Sequence, residues 1–339
     1  MGALIDQAKA AENMGETELS LKYYQLAIEA KPLNEEEKVK QNEIKQFLAN
    51  RTFQKWMNKQ EWSKVAAAIH KEVKENKRKL DDENFKLLLF AENQKTGRAK
   101  YNGILDAYAL LEKYDKQKTL TLESQIDQGY AAEKLGGYKR AKIYYRRALK
   151  KAPDENVDLI LQLVGELKRL YERSKDHKSL VHIYKRAYGA LKKSSKPKKE
   201  LRTYAYLIGY HQFFHLKQNK KARVWLLRSD GGGSSAQELQ SAYWVAKLDQ
   251  LAKKPEIALK RLKELSGRKI SKKSALYLQI HFELGTLYHL KENWDSALRH
   301  YRFAAKAGAP EEFKNIQTVA EENAKEIADY LKSIKASQG

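Results

Sequence analysis

The sequence predicts an all-α protein built from repeated helical hairpins, and three observations lead there. The first is a recurring segment in which an aromatic is followed three residues later by Ala and then by a helix-stopping Pro. It occurs as Tyr24, Ala27 and Pro32, as Tyr145, Ala148 and Pro153, and as Tyr301, Ala304 and Pro310. Residues three apart share a helix face, and Pro cannot continue a helix. The second is what precedes the later two copies: a turn (Gly136-Gly137-Tyr138, Glu292-Asn293-Trp294), and before it a helix carrying a small residue at Gly129 or Gly285. Such a Gly lets two helices approach closely. The third is composition: 42% hydrophobic and 32% charged residues, 20 Tyr, only 5 Pro and a mean hydropathy of −0.75 suit amphipathic helices rather than strands.

From the N-terminus, each hairpin is placed by the residue that opens its second helix. Ser20 opens the first, with Ala8 standing where later copies have Gly. Val65 and Ala99 mark the next two, Ala141 the fourth, and Leu180, Ala222, Ala258 and Ala297 the remainder. The mean spacing is about 40 residues, within the range of helical solenoids. After Pro310 a last helix carries Ile316, Val319, Ala320, Ile327 and Leu331 on one face. It is expected to cover the final hairpin, as terminal repeats require. The Asp230–Ser235 stretch, with three consecutive glycines, reads as a flexible insert. Lys192–Glu200 reads as a second exposed connection.

These residues resemble the tetratricopeptide repeat (TPR) family, whose pattern runs apolar, Leu-Gly, aromatic, Ala, aromatic, Ala, Pro. The stretch 281–310 carries it most fully, in Leu284, Gly285, Tyr288, Trp294, Ala297, Tyr301 and Ala304, and 125–153 follows. The family period is about 34 residues, so longer helices or looser connections are expected here. The resemblance implies a TPR-like α-solenoid, a right-handed superhelix of about eight hairpins with a C-terminal capping helix. The expected segments are 1–120 (N-terminal hairpins), 121–229 (basic central hairpins), 236–310 (C-terminal hairpins) and 311–335 (the cap).

The chain carries a net charge of +23, and residues 134–228 hold 26 Lys and Arg against 7 Asp and Glu. A field of that sign attracts anions: acidic protein segments, nucleic acid, anionic lipid or acidic polysaccharide. Cys is absent, which excludes disulfides, thiolate metal sites and a Cys nucleophile, and favours a bacterial periplasmic or envelope setting over the cytoplasm. No apolar run approaches the roughly 20 residues of a membrane span. The abrupt start at Met1 and the Ala336–Gly339 end lead to the expectation of a piece of a longer protein. No Gly-rich phosphate loop, nucleophile elbow or dinucleotide fingerprint occurs, so a non-catalytic role without a cofactor is expected.

The resemblance also implies that the first helix of each hairpin lines a concave face. The inward positions then come as pairs four apart: Tyr130/Lys134, Arg169/Arg173, His211/His215 and Tyr243/Lys247. Cations with aromatic neighbours suit an acidic peptide, since Arg pairs bidentately with carboxylate. The alternative is that they are ordinary solvated or core positions. Where some relatives clamp a carboxylate with Lys and Asn, this chain has Ile126 and Tyr130, or Phe282 and Thr286, so that clamp is absent. His211 and His215 have helical metal-ligand spacing but no third ligand nearby in sequence, so no metal is assigned. Basic clusters at Lys74–Lys79 and Arg268–Lys273 lack the interleaved aromatics that stack on bases. The expected function is a scaffold whose basic groove holds an acidic, extended partner segment, in a bacterial envelope or secretion assembly. Binding of RNA, DNA or acidic polysaccharide is the second reading, and a helical domain of a larger enzyme the third.

Overall fold

The computed structural model describes residues 1–195, 198–308 and 310–338. Among them are seventeen α-helices and no strand, so the all-α, TPR-like hairpin architecture is realised. The chain forms two compact units, Met1–Ala148 and Leu149–Gly339.

The first unit holds α1 (Gly2–Asn13) with α2 (Thr17–Glu29), α3 (Glu35–Asn58) with α4 (Trp62–Lys74), α5 (Asp82–Asn93) with α6 (Gly97–Tyr114), and α7 (Leu122–Lys134) with most of α8 (Tyr138–Lys151). The second holds α9 (Val157–Arg173) with α10 (His177–Lys193), then α11 (Lys198–Tyr210), which runs through a π-helical turn His211–His215 to α12 (Asn219–Ser229). It continues with α13 (Ala236–Leu251) and α14 (Pro255–Ser266), α15 (Ala275–His289) and α16 (Trp294–Ala305), and α17 (Lys314–Gln338).

One local device repeats through both units. The turn between the two helices of a hairpin holds a residue with φ between 52° and 82°: Gly15, Gln60, Gly136, Lys175, Lys217, Lys253 and Glu292. Five residues after each stands a side chain with no exposure: Ser20, Val65, Ala141, Leu180, Ala222, Ala258 and Ala297. The left-handed residue lets two amides return to the end of the first helix. Gly136 N–H donates to Glu133 O (2.8 Å) and Gly137 N–H to Ala132 O (2.8 Å), a Schellman ending. Glu292 and Asn293 repeat it on His289 and Tyr288. The second helix therefore starts in a fixed register, and its first inward residue is small or apolar because the first helix lies directly against it.

Close approach is visible at the glycines. A Cβ on Gly129 would stand 2.7 Å from the Tyr145 ring, and one on Gly285 2.6 Å from the Tyr301 ring. Both tyrosines are buried, as is Tyr24, their counterpart sixteen residues after Ala8. The following helix then caps the hairpin's open end. Gln41 Nε2 donates to Ile28 O and Ala30 O (2.5 and 3.0 Å), and Gln317 Nε2 to Ala305 O and Ala307 O (2.7 and 2.8 Å). In α17 Ala320, Ala324 and Ile327 are buried against the last hairpin, with Leu331 packed beside them, whereas Val319 stands exposed.

The third hairpin departs from this scheme. Ala99 is exposed and does not open the packing of α6; Gly103 does. The cause is a carboxylate. Glu92, 1% exposed, pairs with Lys95 (2.7 Å) and His70 Nε2 (3.5 Å), and it fills the space where a Cβ on Gly103 would lie. Burial alone would raise the Glu92 pKa, but hydrogen bonds from His70 and Lys95 hold it below the ordinary value.

The Asp230–Ser235 stretch is not a free insert. Arg268 grips Asp230 with two bonds (2.7 and 3.2 Å), Arg202 pairs with Glu238 (2.6 Å), and Ser235 and Glu238 form a reciprocal cap at the start of α13. Side chains on Gly231 or Gly233 would collide with Arg202 or Glu238, so these glycines make room for ion pairs. In the Lys192–Glu200 connection, Lys196 and Pro197 lie outside the described residues.

Candidate functional site

The four expected pairs meet different fates. Tyr130 and Lys134, on α7 of the first unit, are both exposed and engage each other, the Lys134 ammonium lying 5.1 Å from the Tyr130 ring centroid. Tyr130 also meets Tyr101 edge-on at 5.8 Å. Arg169 and Arg173 stand exposed on α9 of the second unit, Arg169 pairing with Glu166 of its own helix. Tyr243 is a correction: it is 4% exposed, within the core formed by α13 to α17, and offers a partner no surface. Burial accordingly pushes its hydroxyl pKa well up. Lys247 is half-buried and bonded to Glu283 (2.6 Å), which also accepts from Gln250 (3.0 Å).

His211 and His215 show what sequence spacing leaves out. They bound the π-helical turn, where Leu216 N–H reaches back five residues to His211 O (3.0 Å). The widened turn leaves His211 buried and His215 exposed, their ring centroids 5.4 Å apart. A third histidine joins them from the start of α10: His177 Nδ1 lies 3.1 Å from His211 Nδ1, and its ring stacks on His215 at 3.7 Å. One nitrogen from each of the three lies within 4.8 Å of the others. Burial first, then the neighbouring His177 and His215 and the Lys168 charge, holds His211 down to about 4, so it is neutral at physiological pH.

Beside this turn runs a row of half-buried aromatics. Tyr206 and Tyr210 stack at 6.0 Å, Tyr210 meets Phe214 at 4.8 Å, and Phe214 meets Trp244 edge-on at 4.8 Å. Trp244, the neighbour of the expected Tyr243, is half-buried and reaches this row from α13. His177 and Trp244 escape sequence reasoning for separate reasons. His177 belongs to the second helix of the preceding hairpin, outside any inward register. Trp244 is one position from the residue that repeat spacing selects.

Behind this face α13 is anchored by a buried ion triad. Asp249, with no exposure, accepts from Arg223 of α12 (2.7 and 3.3 Å) and from Arg261 of α14 (2.9 Å). A second histidine pair, His281 and His300, lies buried between α15 and α16 with Nδ1 atoms 2.9 Å apart. Among the described residues, no helix is long and apolar enough to cross a membrane.

No family model matches the sequence, and no curated protein matches it. Solved structures do. YrrB, described as a TPR protein with an unusual peptide-binding site, is 15% identical, with 64% of this chain and 98% of that one covered at a TM-score of 0.40. MamA is 16% identical over 57% of this chain and 93% of its own, TM-score 0.37. Yeast Tom70 is 16% identical over 90% of this chain and 64% of its own, TM-score 0.39.

Proposed function

We propose that the chain is a non-catalytic interaction scaffold whose second unit receives an acidic, extended segment of a partner protein. The observation that carries this reading is the row Tyr206, Tyr210, Phe214 and Trp244, half-buried and contiguous, in a unit rich in exposed Lys and Arg. Half-buried aromatics supply contact area at little entropic cost, and the cations speed encounter and select against basic partners. Arg169 and Arg173 of α9 are the bet for carboxylate recognition. Lys134 with Tyr130 offers a similar cation and aromatic in the first unit.

A fluorescence-anisotropy titration tests this, with a labelled peptide of interspersed Glu and Leu against a labelled oligouridylate of equal charge. The peptide is expected to saturate. Reversing Arg169 and Arg173 to Glu is expected to weaken it about tenfold or more, each lost or reversed surface contact being worth up to about 1 kcal/mol. Tighter binding of the RNA, with the steep salt dependence of phosphate contacts, would replace this reading with polyanion binding.

A further inference from the structure

We propose that His177, His211 and His215 form a binding site for a divalent transition metal of the zinc class, which joins α10 to the π-helical turn of the sixth hairpin. Imidazole nitrogens are preferred ligands for such ions. Zn–N bonds of roughly 2.0–2.1 Å in tetrahedral geometry put neighbouring ligand nitrogens about 3.3 Å apart. The 3.1 Å between His177 and His211 already meets this distance. The remaining nitrogens lie within 4.8 Å, and a side-chain rotation of the exposed His215 brings them to the ligand distance. The ring of His215 must leave its flat stack on His177 to point its lone pair at a shared ion. Three histidines leave one tetrahedral position for solvent.

Independent features mark the same spot. The turn that presents two of the ligands is π-helical, a rare distortion that concentrates at functional sites. Among the described residues two buried polar atoms lack a hydrogen-bond partner in this neighbourhood: Oε1 of Gln212, a residue of the turn, and Tyr184 Oη, whose ring is 5.8 Å from that of His211. Metal-bound histidines donate their second N–H to such acceptors. Lys168 and Lys217, the cations that act on His211 and His215, repel a dication as they repel a ring proton, and they lower the affinity without removing the ligands.

The test is isothermal titration of the tag-free 339-residue chain with Zn2+, alongside Co2+ absorption to report tetrahedral nitrogen coordination. One equivalent of Zn2+ is expected to bind and to raise the melting temperature. His215→Ala, at an exposed position, is expected to fold as wild type and to lose at least about tenfold in affinity, as is His177→Ala, since even outer partners of a metal site cost that much. His182→Ala, an exposed histidine outside the cluster, is expected to bind normally. Absence of saturable one-to-one binding overturns the proposal, and so does equal binding by His177→Ala and His215→Ala. Neither outcome bears on the aromatic row, which the peptide titration tests separately.

Discussion

Replacing Asp249 with Ala removes the one carboxylate that Arg223 and Arg261 share, and the consequence follows from how the three groups are buried. Asp249 has no exposure, so in the native state its charge is balanced, among the described residues, by the two guanidinium groups. Their side chains are 32% and 31% exposed, so without Asp249 they regain part of their hydration. Breaking a buried pair by removing one partner costs 3–5 kcal/mol, and partial rehydration puts this case near the lower end, about 3 kcal/mol. In a unit of this size that lowers the melting temperature by about 6–12 °C. Asp249→Asn, which keeps the shape and one acceptor, is expected to fall between. Lys332→Ala, which removes an exposed pair with Asp329, is expected to cost under about 1 kcal/mol. Thermal unfolding followed by far-ultraviolet circular dichroism measures all three. An Asp249→Ala melt within about 2 °C of wild type would refute the argument that the triad is a closed charge system holding α12, α13 and α14 in register.

The remaining predictions concern the glycines and the buried histidines. Gly285→Ala puts a Cβ 2.6 Å from the Tyr301 ring and is expected to destabilise by about 1–3 kcal/mol through overpacking. Gly165→Ala, with nothing within 4 Å, is expected to stabilise α9 by up to about 0.8 kcal/mol; urea midpoints moving the same way for both would contradict this. For His281 and His300, burial holds the folded pKa down to about 4 against an ordinary 6.5. Between those values the unfolded state binds more protons, so stability rises with pH there. It is full above about pH 6.5 and lost as pH falls toward 4, by roughly 3 kcal/mol for each ring. A urea-midpoint series from about pH 7 to about pH 4.5 is expected to flatten in His300→Phe; an unchanged slope would sink the assignment.

The hairpins were legible because their rule is local. A left-handed turn residue and a fully buried side chain five positions later fall inside one short window, and seven of the eight opening residues read from the sequence occupy that buried place. Ala99 failed because the third hairpin is organised by a buried carboxylate, Glu92, whose partner His70 comes from another hairpin. Three consecutive glycines at 231–233 read as slack, yet their bareness accommodates Arg202 and Glu238 and leaves Arg268 free to reach Asp230 from far downstream. The candidate site was legible only in part. Spacing of four finds residues on one helix face, but it cannot say which side of a helix packed on several sides is open. So Tyr243 was selected and Trp244, its neighbour, was not. His177 lies 34 residues before His211, and no periodicity links them.

The central claim is that the second unit binds protein through its basic and aromatic surface. Capture of partners from native lysate by immobilised wild-type chain and by the Arg169→Glu, Arg173→Glu double variant, each with and without nuclease, tests it most directly. The account predicts that a defined set of proteins survives nuclease treatment on the wild-type chain and is lost on the variant. Disappearance of the captured proteins on nuclease treatment would show that the surface reads phosphate, and would contradict the account.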